Sequence, residues 1–63
     1  MNRPESEIFV EYIVHGNVVK ATAIDSATGI EASIVGPVSG ARDALADAAV
    51  RKLKYLLEKE PPA

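Results

Sequence analysis

The chain has 63 residues, no cysteine, one histidine and a formal net charge of −2. Such a length allows one domain, residues 1–63. The lack of cysteine excludes disulfides and most zinc sites, and we expect no metal and no cofactor. Oligomerisation is then the remaining way to stabilise a small core. Charges of both signs are mixed along the chain, which argues against strong attraction to nucleic acid or to an anionic membrane. The apolar runs are too short to span a bilayer. No apolar segment resembles the core of a signal peptide, so we expect the protein in the cytoplasm.

Three segments rich in β-branched and aromatic residues form the first half of the chain and predict strands. They are Glu7–His15, Val18–Asp25 and Ile30–Val35. Gly16-Asn17 predicts a two-residue hairpin loop between the first two segments. Ser26–Gly29 predicts a four-residue loop with Gly29 in the left-handed region, and Gly36-Pro37 is expected to stop the third strand.

The two loops predict a consistent register for the sheet. They pair Tyr12 with Ala21 and Ala23 with Ala32, so that both hairpins place the same residues on the same side. We expect one side, here called the helix face, to be the core and the other, here called the open face, to lack a covering element. The helix face contains Ile8, Val10, Tyr12, Val14, Val19, Ala21, Ala23, Ile30, Ala32 and Ile34, and the open face contains Phe9, Glu11, Ile13, His15, Val18, Lys20, Thr22, Ile24, Glu31, Ser33 and Val35.

A helix is predicted over Gly40–Lys59, with Ser39 as its N-cap. Its larger apolar residues fall within an arc of about 140° at 100° per residue. These residues are Leu45, Ala46, Ala49, Val50, Leu53, Leu56 and Leu57. The predicted fold is therefore α+β, a three-stranded antiparallel meander in order 1-2-3 packed on one face by a C-terminal helix, with residues 1–6 and 60–63 as flexible tails.

The open face suggests a contact surface. Phe9, Ile13, Val18 and Ile24 would lie there among polar residues. Scattered exposed apolar residues are ordinary, but a cluster of them tends to mark a binding surface. A strand edge offers a second route by sheet extension. We expect a non-enzymatic interaction module whose partner is a second copy, giving a homodimer, or an unidentified protein.

The loop before the helix suggests an alternative function. Free N–H groups at a helix start, together with Ser39, Gly40, Ala41 and Arg42, could hold a small anion such as phosphate. The glycine spacing matches neither the P-loop nor the dinucleotide motif. A strand-to-helix connection with a cap explains the same residues.

No residues predict catalysis. His15 lies at a strand end with no nucleophile or orienting partner implied by spacing. Glu11 and Glu31 would share the open face but lie on the two outer strands, in no evident pocket. We therefore expect that the protein is not an enzyme.

The strand order and the alanine-rich helix resemble the latter part of a double-stranded-RNA-binding domain. Ala48–Leu53 is similar to the final helix of that family. In the family, a lysine cluster at the start of this helix contacts phosphates. Here that stretch is Ala41–Ala44, with Asp47 close behind, and the family's first helix is missing. These departures argue against RNA binding.

Several segments resemble a family of short uncharacterised alphaproteobacterial proteins, a domain of unknown function. The segments are Val10–Lys20, Ala23–Gly29, Ser33–Pro37 and Ala49–Leu53, so the resemblance covers nearly the whole chain. It implies a bacterial cytosolic protein with a single domain. It supplies no catalytic residue, ligand or partner.

Overall fold

In a computed structural model, which describes residues 7–59, three strands form one antiparallel sheet and one helix packs on it. The elements are β1 (Ile8–His15), β2 (Val18–Asp25), β3 (Glu31–Pro37) and α1 (Arg42–Lys59). The strand order is β1-β2-β3, which confirms the predicted α+β meander. The predicted tails, residues 1–6 and 60–63, lie outside the described residues.

The predicted register is confirmed in both hairpins. Tyr12 pairs with Ala21, and Ala23 pairs with Ala32. Gly16 and Gly29 have positive φ values of 59° and 77°, as the two loops require. Asn17 does not have a positive φ. The first loop therefore needs glycine only at its first position, which is the arrangement of a type II′ turn.

The third strand is longer at its end than predicted. Gly36 and Pro37 do not stop it, because Gly36 pairs with Val19 and Pro37 pairs with Val18. The amide of the next residue, Val38, donates to the Asn17 carbonyl at 2.8 Å. Alternate residues of an antiparallel edge strand direct their N–H groups outward. The missing N–H of Pro37 falls on that outward side and costs no ladder hydrogen bond.

The loop between β2 and β3 is fixed by Asp25. Its backbone N–H donates to the Ile30 carbonyl at 3.0 Å, which closes the predicted four-residue loop, and its carbonyl accepts from the Gly29 amide at 2.8 Å. Its buried carboxylate accepts hydrogen bonds from the backbone N–H and the hydroxyl of Thr28, at 3.0 and 2.8 Å. Aspartate at the start of a turn commonly bonds the backbone ahead of it in this way.

Small residues form the centre of the core. Ala21, Ala23 and Ala49 are fully buried, and Leu53 is the largest side chain buried with them. Because alanine side chains are small, the helix can approach the sheet closely here. Half-buried apolar side chains surround this centre: Ile8, Val10, Ile30, Ile34, Leu45, Val50, Leu56 and Leu57.

The helix is displaced toward one side of the sheet. It packs mainly against β3 and β2 and has little contact with β1. Tyr12 and Val14 lie on the helix face, yet they are 39% and 50% exposed. The expectation that both residues belong to the core is therefore wrong. A helix about 10 Å wide covers roughly two strands spaced ~4.8 Å apart, so the third strand of the sheet is left open.

The predicted start of the helix is also wrong. α1 begins at Arg42, so Ala41 and not Ser39 occupies the N-cap position. The reason is the preceding turn, in which the Gly40 amide donates to the Pro37 carbonyl at 3.0 Å. This turn delays the entry of the chain into the helix. Alanine has no side-chain oxygen to accept from the first free N–H groups of a helix.

Replacing Ala41 with serine is expected to stabilise the protein. A serine hydroxyl at the N-cap would accept from an amide of the first turn and raise the free energy of unfolding by about 0.5–2 kcal/mol. Urea unfolding followed by circular dichroism measures this change. The control is Ser39→Ala, which should change stability by less than about 0.5 kcal/mol. A larger loss of stability in the Ser39→Ala variant would indicate that Ser39, and not Ala41, is the N-cap.

Candidate interaction surface

The four predicted contact residues of the open face form two separate pairs. Phe9 and Ile24 are direct cross-strand partners near one end of the sheet. Ile13 pairs with Lys20 and His15 with Val18 near the other end, so Ile13 and Val18 are diagonal neighbours. The structure therefore brings these residues onto one face, as predicted, but in two places.

A polar row separates the two pairs. It crosses the sheet as Glu11, Thr22 and Ser33, each directly opposite the next. The Thr22 and Ser33 hydroxyl oxygens are 2.9 Å apart, within hydrogen-bond distance, and Thr22 is only 7% exposed. The open face is thus not one continuous apolar patch, and it is a weaker docking surface than its composition indicates.

Strand β1 exposes apolar side chains on both of its faces. Phe9 and Ile13 are 53% and 48% exposed on the open face, while Tyr12 and Val14 are exposed on the helix face. Sequence reasoning missed Tyr12 and Val14 because it assigned their whole face to the core. The signal that could have found them is the width of a single helix relative to three strands.

The outer edge of β1 also presents backbone N–H and C=O groups that are not bonded to β2. The Ser26 amide donates to the Glu7 carbonyl at 2.9 Å, which places Glu7 among the residues bonded to β2. Because bonded and unbonded residues alternate along an antiparallel strand, the N–H and C=O groups of Val10, Tyr12 and Val14 must point outward. These are the groups that a further strand would pair with.

The opposite edge of the sheet, along β3, is partly covered. The Lys52 ammonium donates to the outward Ser33 carbonyl at 3.1 Å. A lysine at an edge strand is a common obstacle to pairing with another chain. Over residues 7–59, no side chain forms a corresponding hydrogen bond with the outward groups of Val10, Tyr12 or Val14. Among the described residues the two edges therefore differ, and β1 is the accessible one.

Arg42 is engaged by the aromatic ring of Tyr12. Its guanidinium carbon lies 5.6 Å from the ring centroid, and the Tyr12 hydroxyl donates to the Arg42 carbonyl at 3.4 Å. Such cation–π contacts contribute roughly 0.5–1 kcal/mol at exposed sites. Together the two contacts tie the start of α1 to β1 and hold the tyrosine ring above the sheet.

The predicted anion site is exposed, but its one cationic side chain, Arg42, already contacts an aromatic ring. Ser39, Gly40 and Ala41 lie in an exposed turn, and the cation of Arg42 contacts Tyr12. A shallow pocket of about 200 Å³ beside this turn has no charged side chain in its lining, which consists of Gly36, Pro37, Gly40, Ala41, Ala44, Leu45 and Ala48. Anion binding at Ser39–Arg42 stays a prediction, which a phosphate titration followed by backbone amide shifts would test.

The titratable residues considered for catalysis lie apart. His15 is exposed at the end of β1 opposite Val18, and Glu11 and Glu31 are exposed on the two outer strands with β2 between them. Within the described range 7–59, no group of three or more His, Asp or Glu side chains could hold a metal ion. In the same range, no helix has both the length and the apolar character needed to cross a membrane.

Comparison with known proteins gives a family but no activity. Neither a curated protein nor a solved structure matches the chain. A family model described as a domain of unknown function (DUF6898) matches residues 5–60. Because this match spans nearly the whole sequence, the chain belongs to the DUF6898 family of domains of unknown function.

Proposed function

We propose that this domain is a small, non-catalytic protein-interaction module that associates with a second copy of itself along β1. The observation that carries the proposal is the exposure of β1. Four of its apolar side chains, those of Phe9, Tyr12, Ile13 and Val14, are exposed on its two faces, and its outer backbone groups form no hydrogen bond with a side chain of the described residues. A second strand laid along this edge would pair those groups and cover side chains on both faces at once.

The size of the core supports a second copy as the partner. Among residues 7–59 only six apolar residues are buried, and Leu53 and Val19 are the largest of them. A core of this size rarely supplies more than ~3–5 kcal/mol, and oligomerisation is a common remedy in small domains. An edge strand can pair with its own copy about a two-fold axis, the commonest symmetry of soluble oligomers.

The first experiment is the mass of the protein in solution, measured by sedimentation equilibrium over a concentration series. A mass that rises from one chain to two supports the proposal. A mass of one chain at every concentration overturns it, because the exposed edge would then not bind its own copy.

Replacing Ile13 with lysine is expected to weaken the dimer. The side chain is 48% exposed on the open face of β1, and a lysine there would place a charge on the pairing edge. We expect the dissociation constant of the dimer to rise about tenfold or more, which corresponds to roughly 1.4 kcal/mol. Sedimentation equilibrium of the variant and the native protein measures this change.

The matched control for this experiment is Val35→Lys. Val35 is an exposed β-branched residue on the same face, but it lies on β3. The Val35→Lys substitution should leave the dissociation constant of the dimer unchanged and the circular dichroism spectrum native. If Val35→Lys dissociates the dimer and Ile13→Lys does not, the copies meet at β3 and the proposal is wrong.

A further inference from the structure

We infer that the two copies pair β1 with β1 in antiparallel orientation about a two-fold axis at Ile13, so that the two three-stranded sheets become one continuous sheet. This inference rests on the proposed self-association and adds the register of the pairing. It follows from the outward backbone groups and from the order of charged and apolar residues along β1.

The outward backbone groups limit the possible registers. Val10, Tyr12 and Val14 direct their hydrogen-bonding groups away from β2, so wherever the two β1 strands overlap, an outward residue of one copy must face an outward residue of the other. In a symmetric antiparallel pair, one residue of β1 lies on the axis and residues at equal distances from it face each other. Naming the axial residue therefore specifies the whole register.

Two neighbouring registers fit the side chains poorly. With Glu11 on the axis, two carboxylates of like charge would face each other, which is destabilising. With Tyr12 on the axis, the carboxylate of Glu11 would face the apolar side chain of Ile13. Neither arrangement gives Glu11 a direct polar partner across the new interface.

With Ile13 on the axis, polar side chains face polar ones and apolar side chains face apolar ones. Glu11 then faces His15 of the second copy, whose imidazole N–H can donate to the carboxylate, and this pair occurs twice. Ile13 meets its own copy between these pairs, and Tyr12 faces Val14, an aromatic side chain against a β-branched one. Lys20, the cross-strand partner of Ile13 on β2, is on the same face.

The position of the helix leaves room for this dimer. A two-fold axis perpendicular to the sheet places both helices on the same side, each over β2 and β3 of its own copy. With strands ~4.8 Å apart, the helix axes would be about 19 Å apart, well beyond the ~8–10 Å of packed helices. The helices therefore do not clash, and Tyr12 and Val14 of both copies lie between them.

A single-cysteine scan tests the register directly. The chain has no cysteine, so each variant carries one thiol. A cysteine can meet its own copy only near the two-fold axis, and facing antiparallel residues have the Cα separation that a disulfide needs. The variants are Ile13→Cys, Glu11→Cys, Tyr12→Cys and, on the other edge, Val35→Cys. Mild oxidation followed by non-reducing electrophoresis measures the rate of cross-linking.

We expect Ile13→Cys to cross-link at least about tenfold faster than the other variants, and a mixture of Glu11→Cys and His15→Cys chains to form the mixed dimer. Faster cross-linking of Glu11→Cys or Tyr12→Cys would overturn the register while leaving self-association intact. Cross-linking of Val35→Cys alone would overturn the use of β1. A native protein that sediments as one chain at every concentration would instead overturn the proposed function itself.

A charge exchange gives a second measurement that does not depend on thiols. Glu11→Lys should raise the dissociation constant of the dimer by about fivefold to thirtyfold, since it removes two favourable pairs. Adding His15→Glu to that variant should restore most of the affinity. Glu11 and His15 are both exposed, so the folded monomer should keep its native circular dichroism spectrum. A double variant no tighter than Glu11→Lys alone would contradict the facing of Glu11 and His15.

Discussion

Replacing Leu53 with alanine is expected to lower the free energy of unfolding by about 2–5 kcal/mol, the range of large-to-small changes in cores. Leu53 is fully buried and packs in the middle of the alanine-rich core. Since a chain of this size rarely has more than ~3–5 kcal/mol in total, much of the variant should be unfolded at room temperature. Thermal unfolding followed by circular dichroism measures the loss.

The control for this prediction is Leu57→Ala, one turn later on the same helix. Leu57 is half-buried at the margin of the core, so the same chemical change should cost clearly less, about 1–2 kcal/mol. Equal effects of the two substitutions would contradict the position of the core centre at Leu53.

Replacing Ala21 with leucine is expected to destabilise the protein by about 1–3 kcal/mol or more, because the larger side chain must displace the helix. Ala21 is fully buried in the central strand, between Tyr12 on one side and Ile34 on the other. Chemical unfolding with urea measures the change. Ala44→Leu, an exposed position on α1, is the control and should be nearly neutral. A neutral result for Ala21→Leu would mean that the helix does not approach β2 closely.

The register of the sheet could be predicted from the sequence because two local signals agreed. The loop at Gly16 and the loop ending at Gly29 both have even lengths. The first aligns Tyr12 of β1 with Ala21, and the second aligns Ala23 with Ala32, so that all four residues lie on one side. A slip of one residue in either hairpin would have moved a set of apolar side chains to the wrong face. The buried arc of the helix, centred on Ala49 and Leu53, followed from the same periodic reasoning.

The exposure of Tyr12 and Val14 could not be read from that pattern. Alternation states which side of a strand a residue is on, but it does not state where the helix lies across the sheet. The displacement toward β3 is accompanied by a contact distant in sequence, the hydrogen bond from the Lys52 ammonium to the Ser33 carbonyl. Side-chain hydrogen bonds of this kind have no periodic signature.

The helix start was wrong for a different reason. Ser39 has the residue type of an N-cap, and type alone favoured it. The turn that includes Pro37 and Gly40 delays the helix, and Ala41 takes the cap position although it suits it poorly. The row of Glu11, Thr22 and Ser33 that divides the open face, in contrast, follows from the predicted register, which pairs these residues across the three strands.

The displaced helix and the uncovered β1 together support the interaction proposal. Amide hydrogen exchange along β1, followed by NMR at low and high protein concentration, tests this account most directly. Glu11 and Ile13 bond β2 and should be protected at both concentrations, while Tyr12 and Val14 should gain protection only as the dimer forms. If Tyr12 and Val14 exchange as fast as unpaired amides at every concentration, no strand is added at β1, and the account is contradicted.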